Sequence, residues 1–385
     1  MQIFISTGEV SGDLQGAMLV EALYRLASLS EIELEIVALG GDRMKTAGAS
    51  LIANTARIGS VGLLEAIPFV LPTLKIQRQT QQYLRQNPPD ILVLIDYPAS
   101  NLAIASFVNK HLPQVPIIYY IAPQDWAAPM LGNTNKITKL VDKILAIFPE
   151  EANYFKARDV EVNWIGHPLL DRLASAPDRE TARKTLSIKP QEQIITLLPA
   201  SRQQEIEYLL PIICQAAREI QQHLPKVRFL IPISLEIYRQ QITAAVAEYN
   251  LPATILKEQT LEAIAAADLA IAKSGTVNLE IALLNIPQVI IYRLNPVTAW
   301  VARYLLGFDI PLISPPNLVV GREIVPELVQ ERATVDNLRV CALELLLNER
   351  KRQQIFHDYQ QMRSLLGKVG VCDRAALEIL KFSKC

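Results

Sequence analysis

Short apolar runs alternate with amphipathic stretches from one end of the chain to the other. Apolar runs fall at 2–7, 34–39, 90–96, 116–122, 143–148 and 160–166, and again at 194–199, 228–234, 254–256, 269–273 and 288–292. Most are continuous rather than alternating, the mark of strands covered on both faces. Helical periodicity fills the gaps, as at Gln203–His223 and 237–249. This rhythm predicts an α/β chain built from doubly wound parallel sheets. Eleven strands are many for one sheet, so the pattern predicts two. The break falls at 174–193, where Ser-Ala-Pro-Asp and Lys-Pro punctuate a charged helix. After 330 only helical patterns remain, at Val335–Leu347 and 349–383. The expected division is a Rossmann-like domain at 1–174, a second at 175–350, and a C-terminal helical segment at 351–385.

The polar residues are not scattered. Gly8-Glu9 follow the first run, Asp96 the third and Pro123-Gln124 the fourth. In the second half Ser201-Arg202 follow Leu198-Pro199, and Lys273-Ser274-Gly275 follow Ile271. Open parallel sheets bind ligands beyond the carboxyl ends of their strands. Two decorated edges therefore predict a ligand cleft between two domains.

The stretch 265–293 carries the most chemistry, reading strand, small polar turn, helix, strand. A helix starting at Ser274-Gly275-Thr276 would turn unpaired N–H groups and a positive dipole end toward an anionic diphosphate. Glu280, one turn on, could accept from ribose hydroxyls. The plainer reading is a βαβ unit in which Ser and Thr cap a helix. Arg202 stands where a helix begins, against its dipole, which suggests an anion to meet, with a surface ion pair as the alternative. Asp96 ends an apolar strand, and burial would make it a usable base; a helix cap is the other reading. The turn from Gly8 to Gly16 is neither GxGxxG nor a P-loop, and Glu9 and Asp13 would repel phosphate. Its glycines admit a sugar or another backbone, or serve a turn and cap. His167, in Gly166-His167-Pro168, reads as hinge packing rather than catalysis. The apolar segment 63–74 runs into Lys75 and Arg78, suiting a bilayer surface, acyl chains or a buried helix start.

Half of the 385 residues are hydrophobic and a fifth charged, ample for buried cores. A net charge of −1 gives no general attraction to nucleic acid. Cys214, Cys341, Cys372 and Cys385 form no CxxC, which fits a reducing compartment without a thiolate metal site. No acidic pair of DxD type stands out for a divalent metal. Met1-Gln2-Ile3-Phe4-Ile5 shows no basic leader, and 61–74 is short and interrupted by Glu65, Pro68 and Pro72. The expectation is a cytoplasmic protein that touches a membrane surface.

Nine motifs, in order, resemble the lipid-A-disaccharide synthase family over nearly the whole chain. They are GEVSGD, SVGLLEAIP, IDYP with Asn101 beyond it, YYIAPQDWA, ILAIFPEE, WIGHPL, LLPASRQQEI, SGTVNLE and PPNLVVGREIVPELVQ. The resemblance implies a two-domain GT-B glycosyltransferase that inverts the anomeric centre without metal or cofactor. It implies a product with a β-1,6 linkage, made from UDP-2,3-diacylglucosamine and 2,3-diacylglucosamine 1-phosphate. It also implies action at the inner face of the cytoplasmic membrane, and dimers that exchange C-terminal segments. Carried over, Asp96 is the base on the acceptor 6-hydroxyl, with Glu9, Ser11, Asp13 and Gln124 on the acceptor side. Arg202, Glu205, Ser274, Gly275, Thr276, Glu280 and Asn317 fall on the donor side. Leu64, Ile67, Phe69, Val70, Leu71 and Leu74 would meet the membrane and acyl chains. The chain departs from the family at Ala99-Ser100 and Ala128-Pro129, where bulkier or charged residues are usual, and at Ala200, usually Gly. The first two departures thin the acceptor half and leave the donor half intact. An epimerase or hydrolase of UDP-N-acetylglucosamine shares the expected architecture, and a divergent UDP-sugar binder is the non-enzymatic alternative.

Overall fold

The computed structural model describes residues 1–56, 63–123, 126, 133–199, 203–233, 235–293 and 312–382, with backbone alone at 63–69 and 203–204. Two compact units result, one of residues 1–172 with 366–385 and the other of 173–365.

In the first unit β1 (Gln2–Ser6), β2 (Glu35–Gly40), β3 (Ser50–Asn54), β4 (Ile91–Ile95), β5 (Ile117–Tyr120), β6 (Lys143–Ala146) and β7 (Glu161–Trp164) form a parallel sheet. Their order among the described residues is β3-β2-β1-β4-β5-β6-β7. In the second unit β8 (Gln193–Leu198), β9 (Val227–Ile233), β10 (Ala253–Lys257), β11 (Leu269–Lys273), β12 (Gln288–Tyr292) and β13 (Glu327–Val329) run β10-β9-β8-β11-β12-β13, again parallel. Each order reverses beside its first strand, at β1/β4 and at β8/β11. Those reversals open a crevice at the carboxyl ends of the strands.

The central strands are the continuous apolar runs, and every residue of β4 is buried. A fully buried Ile or Leu contributes about 1.5–3 kcal/mol, so such strands are fixed by burial on both faces. Two strands lie outside the eleven expected. β3 is half exposed along its length, and β13 spans three residues. Edge strands this short or this wet have no continuous apolar signal to read.

The tail returns to the first unit. Helix Val371–Phe382 buries Val371, Cys372, Ala375, Ala376, Ile379 and Leu380, a single face at helical spacing. Its first turn is capped from afar: Asp171 accepts from the N–H groups of Gly370, Val371 and Cys372 at 2.5, 3.1 and 2.7 Å. Glu378 accepts from Lys143 and Asn163 at 2.8 and 2.7 Å, which binds the helix to β6 and β7. In the second unit the buried Tyr359 hydroxyl donates to the Ile286 carbonyl, and Gln288 on β12 donates to Tyr359.

Asp171→Ala strands three N–H groups at the start of the tail helix and is expected to cost about 1–3 kcal/mol. Urea unfolding should show the loss, and amide exchange should place it first in 371–382. Unchanged protection there would refute the tether.

Candidate functional site

In the first unit the switch point is built around Asn101, which is wholly buried on the helix Pro98–His111. Its Oδ1 accepts from Ser6 Oγ at the end of β1 at 2.7 Å. Its Nδ2 donates to the carbonyls of Ile95 and Asp96, at 3.0 and 2.6 Å, where β4 ends. Asp96 and Tyr97 both take left-handed φ, +47° and +43°. Left-handed backbone costs side-chain-bearing residues of order 1–3 kcal/mol and persists where surroundings enforce it. Three bonds enforce it here: the Asn101 contact, the Tyr119 hydroxyl on the Asp96 carbonyl at 2.8 Å, and Asp96 N–H on the Ile121 carbonyl at 2.9 Å. The bend leaves Asp96 half-buried at the mouth of the strand. Gly8 lies against the Tyr97 ring, where a Cβ would fall 2.1 Å from a ring carbon.

Glu9 and Ser11 sit half-buried at the start of helix Val10–Leu29, and the Glu9 side chain makes no cap bond. Asp13 is used differently. Its carboxylate is buried and accepts from the N–H groups of Gly41, Met44 and Arg43 at 2.7, 3.1 and 3.2 Å. It organises the turn after β2.

Glu151 does the same between β5 and β6. Wholly buried, it accepts from Ala122, Ile147 and Phe148 N–H groups at 3.1, 2.8 and 3.3 Å. Burial pushes its carboxyl up to about 8 against those three donors, with the charge of Asp96 adding to the rise. His167 is buried against Phe148, ring centroids 5.3 Å apart, and its Nδ1 accepts from Leu169 N–H at 3.2 Å. Burial lowers its pKa to about 3, so it stays neutral and structural at physiological pH.

In the second unit the turn after β11 is more closed than its sequence suggests. Ser274 N–H donates to the Ile291 carbonyl at 3.2 Å, and Gly275 N–H donates to Asn278 Oδ1 at 2.7 Å. Thr276, at the N-cap of the helix that follows, makes no side-chain cap bond. Glu280 is buried on the following helix, Val277–Leu283. Ser274 Oγ donates to the Ile313 carbonyl at 2.9 Å. Ile313 and Ser314 N–H groups donate to Glu327, both at 2.9 Å, and Asn317 Nδ2 does so at 2.7 Å. Asn317 is wholly buried, and its Oδ1 accepts from Ile324 and Val325 N–H groups at 2.8 and 3.1 Å. Its carboxamide is thus spent on shaping the loop that backs Ser274. Glu205 contacts Lys273 Nζ at 2.9 Å.

Gln124 and Arg202 lie outside the described residues, as do Ala128 and Pro129 and the side chains of Leu64, Ile67 and Phe69. On helix Leu63–Gln86, Val70, Leu71 and Leu74 are exposed by 49, 78 and 44 %. Lys75 and Arg78 follow them, also exposed. Among the described residues no helix is long and apolar enough to cross a membrane, and no three His, Cys, Asp or Glu side chains group to hold a metal.

Comparison with known proteins decides among the readings. The sequence pattern of the family described as lipid-A-disaccharide synthetase matches residues 3–382. The chain belongs to this family. It is 58 % identical to the lipid-A-disaccharide synthase of Gloeothece citriformis over 99 % of this chain and 100 % of that one. It is 53 % identical to that of Synechocystis over 100 and 98 %. The solved UDP-GlcNAc 2-epimerase from Neisseria meningitidis, bound to UDP-GlcNAc, superposes with a TM-score of 0.67 over 99 % of this chain and 100 % of that one. At 12 % identity the likeness is of fold, and the fold is the two-sheet GT-B type expected for the family.

Family motifs therefore hold two kinds of residue. Asp96, Glu9 and Ser11 lie at the mouth of the first sheet, while Asp13, Asn101, Glu151 and Asn317 brace the loops around the two mouths. Lys273, Glu151 and Glu327 were not read as site residues from the sequence. The one available signal was position, since each lies within a few residues of a strand end.

Two buried groups set opposite pH slopes on stability. Folding raises Glu151 from 4.5 to about 8, so its stabilisation is full below 4.5 and is lost as pH rises through that window. Folding lowers His167 from 6.5 to about 3, so its contribution is present above 6.5 and lost as pH falls. The slopes oppose between 4.5 and 6.5, and from 6.5 to 8 Glu151 acts alone of the two. Urea midpoints should fall from pH 6.5 to 8, and Glu151→Gln should flatten that fall. An equally steep fall in the variant would remove Glu151 as its source.

Proposed function

We infer that the chain is the glycosyltransferase of lipid A biosynthesis that joins UDP-2,3-diacylglucosamine to 2,3-diacylglucosamine 1-phosphate, releasing UDP. The observation that carries this is the family match from residue 3 to 382, with more than half the residues identical to a full-length relative. The first unit supplies the base and the second takes the nucleotide. Asp96 removes the proton of the acceptor 6-hydroxyl as its oxygen attacks the anomeric carbon of the donor. The bond from that carbon to the diphosphate breaks on the opposite face, UDP leaves with the electron pair, and the configuration inverts to β-1,6. Nucleotide-bound structures of the same fold support a UDP-sugar donor.

The finer assignments belong to this reading. Glu280 holds the ribose, and Arg202 meets the diphosphate, where a guanidinium presents a fork of donors. Ser274, Gly275 and Thr276 line the nucleotide side, and Asn317 acts by holding the wall behind Ser274. Glu9, Ser11 and Gln124 face the acceptor, and Asp13 fixes the turn beside them. The exposed Val70, Leu71 and Leu74, followed by Lys75 and Arg78, suit a helix that rests on anionic lipid with Leu64, Ile67 and Phe69. That contact would place the enzyme at the inner face of the cytoplasmic membrane, where its acylated substrates lie. Residues 366–385 form a tail distinct in sequence from the unit it joins, which suits exchange between two copies in a dimer.

Asp96→Asn is isosteric and keeps the acceptors of the bend, so it isolates the proton transfer. Mass spectrometry of products from purified protein and both lipid substrates should show disaccharide formation slowed by roughly 10²–10⁴, with UDP affinity unchanged. A variant as fast as the parent would reject Asp96 as the base.

A further inference from the structure

The second sheet's switch point holds a cation that the notion of an open phosphate turn passes over. Lys273 is the last residue of β11, beside β8. Its Nζ meets Glu205 Oε1 at 2.9 Å, and the two side chains are only 14 and 10 % exposed. The lysine stem folds back over Gly275, where a Cβ would stand 3.2 Å from Cε and 3.5 Å from Nζ. Gly275 is not among the residues with left-handed φ, so glycine serves here to leave room for the lysine. Its N–H is taken by Asn278 and that of Ser274 by Ile291. The ammonium thus adds a positive charge beside a turn whose first two amides are already bonded.

We propose that Lys273, oriented by Glu205 and given room by Gly275, binds the diphosphate of the nucleotide donor and offsets the charge that grows on it as the sugar–oxygen bond breaks. The proposal rests on the reading that the second unit takes UDP. An ammonium carries three donors, and Glu205 engages one of them here. A carboxylate on one donor fixes the direction of the others without removing the charge. A buried ion pair is weak evidence for stability, since desolvation offsets the attraction. At the carboxyl ends of the two switch-point strands, where ligands of such sheets lie, a lysine held in this way has a use that stability does not supply. Lysine is a compact point charge suited to phosphate, and neutralising a leaving diphosphate is the main electrostatic demand of a transfer without metal. Glu205 is then a positioning residue rather than a contact of the nucleotide.

The test is calorimetric titration of the full chain with UDP and, separately, with uridine, which lacks the phosphates. Lys273→Met is expected to weaken UDP by roughly 10–100-fold and to leave uridine unchanged. Gly275→Ala, which keeps the charge but crowds its stem, should weaken UDP in the same sense by less, and decides the matter if the methionine variant does not fold. UDP bound as tightly as by the parent, or UDP and uridine weakened alike, overturns the proposal. A parent chain that does not bind UDP overturns the donor reading beneath it as well.

Discussion

The carboxamide of Asn101 is the constraint around which the first unit's site is arranged. At the switch point β1 and β4 run side by side and then part, so their ends need partners from outside the ladder they share. Asn101 reaches both, accepting from Ser6 and donating to the Ile95 and Asp96 carbonyls. With those bonds made, Asp96 and Tyr97 can hold a left-handed bend that neither residue type favours. The bend turns the chain sharply at the mouth of the sheet, so the carboxylate stays where β4 delivers it. The place of Asp96 comes from a neutral side chain five residues on.

The same device recurs with acids. Asp13, Asp171, Glu151 and Glu327 each gather two or three backbone N–H groups. Each is at least partly withdrawn from water. In such surroundings an unmade hydrogen bond costs more than a made one returns, so these carboxylates matter through the peptide groups they satisfy. Abundant acidic residues near a sheet edge are thus no measure of catalytic chemistry. They make the loops rigid, and rigid loops hold the few groups that meet substrate.

The two mouths differ in charge. Asp96 and Glu9 give the first sheet an acidic mouth. Lys273 gives the second a cation, paired with Glu205 and close to the turn that Ser274 begins. That turn is closed by its own side chains, Asn278 on Gly275 and Ser274 on Ile313.

The sequence by itself determined the fold class and the family. Continuous apolar runs such as those of β1, β4, β8 and β11 can only be strands buried on both faces, and their regular alternation with helices leaves parallel doubly wound sheets as the outcome. Nine motifs in order fixed the chemistry to expect. Tertiary structure alone decided which polar residues are tied into the loops. Asp13 and Asp96 both follow apolar runs, yet the carboxylate of one is enclosed by three N–H groups, while the other residue sits half-buried in a left-handed bend at the end of β4. Lys273 was marked in the sequence only by its place at a strand end, and the fold brought Glu205, far away in the chain, to its ammonium. β3 and β13 were missed for a related reason: short edge strands are held by the neighbour they pair with, and a residue pattern records burial, not partners.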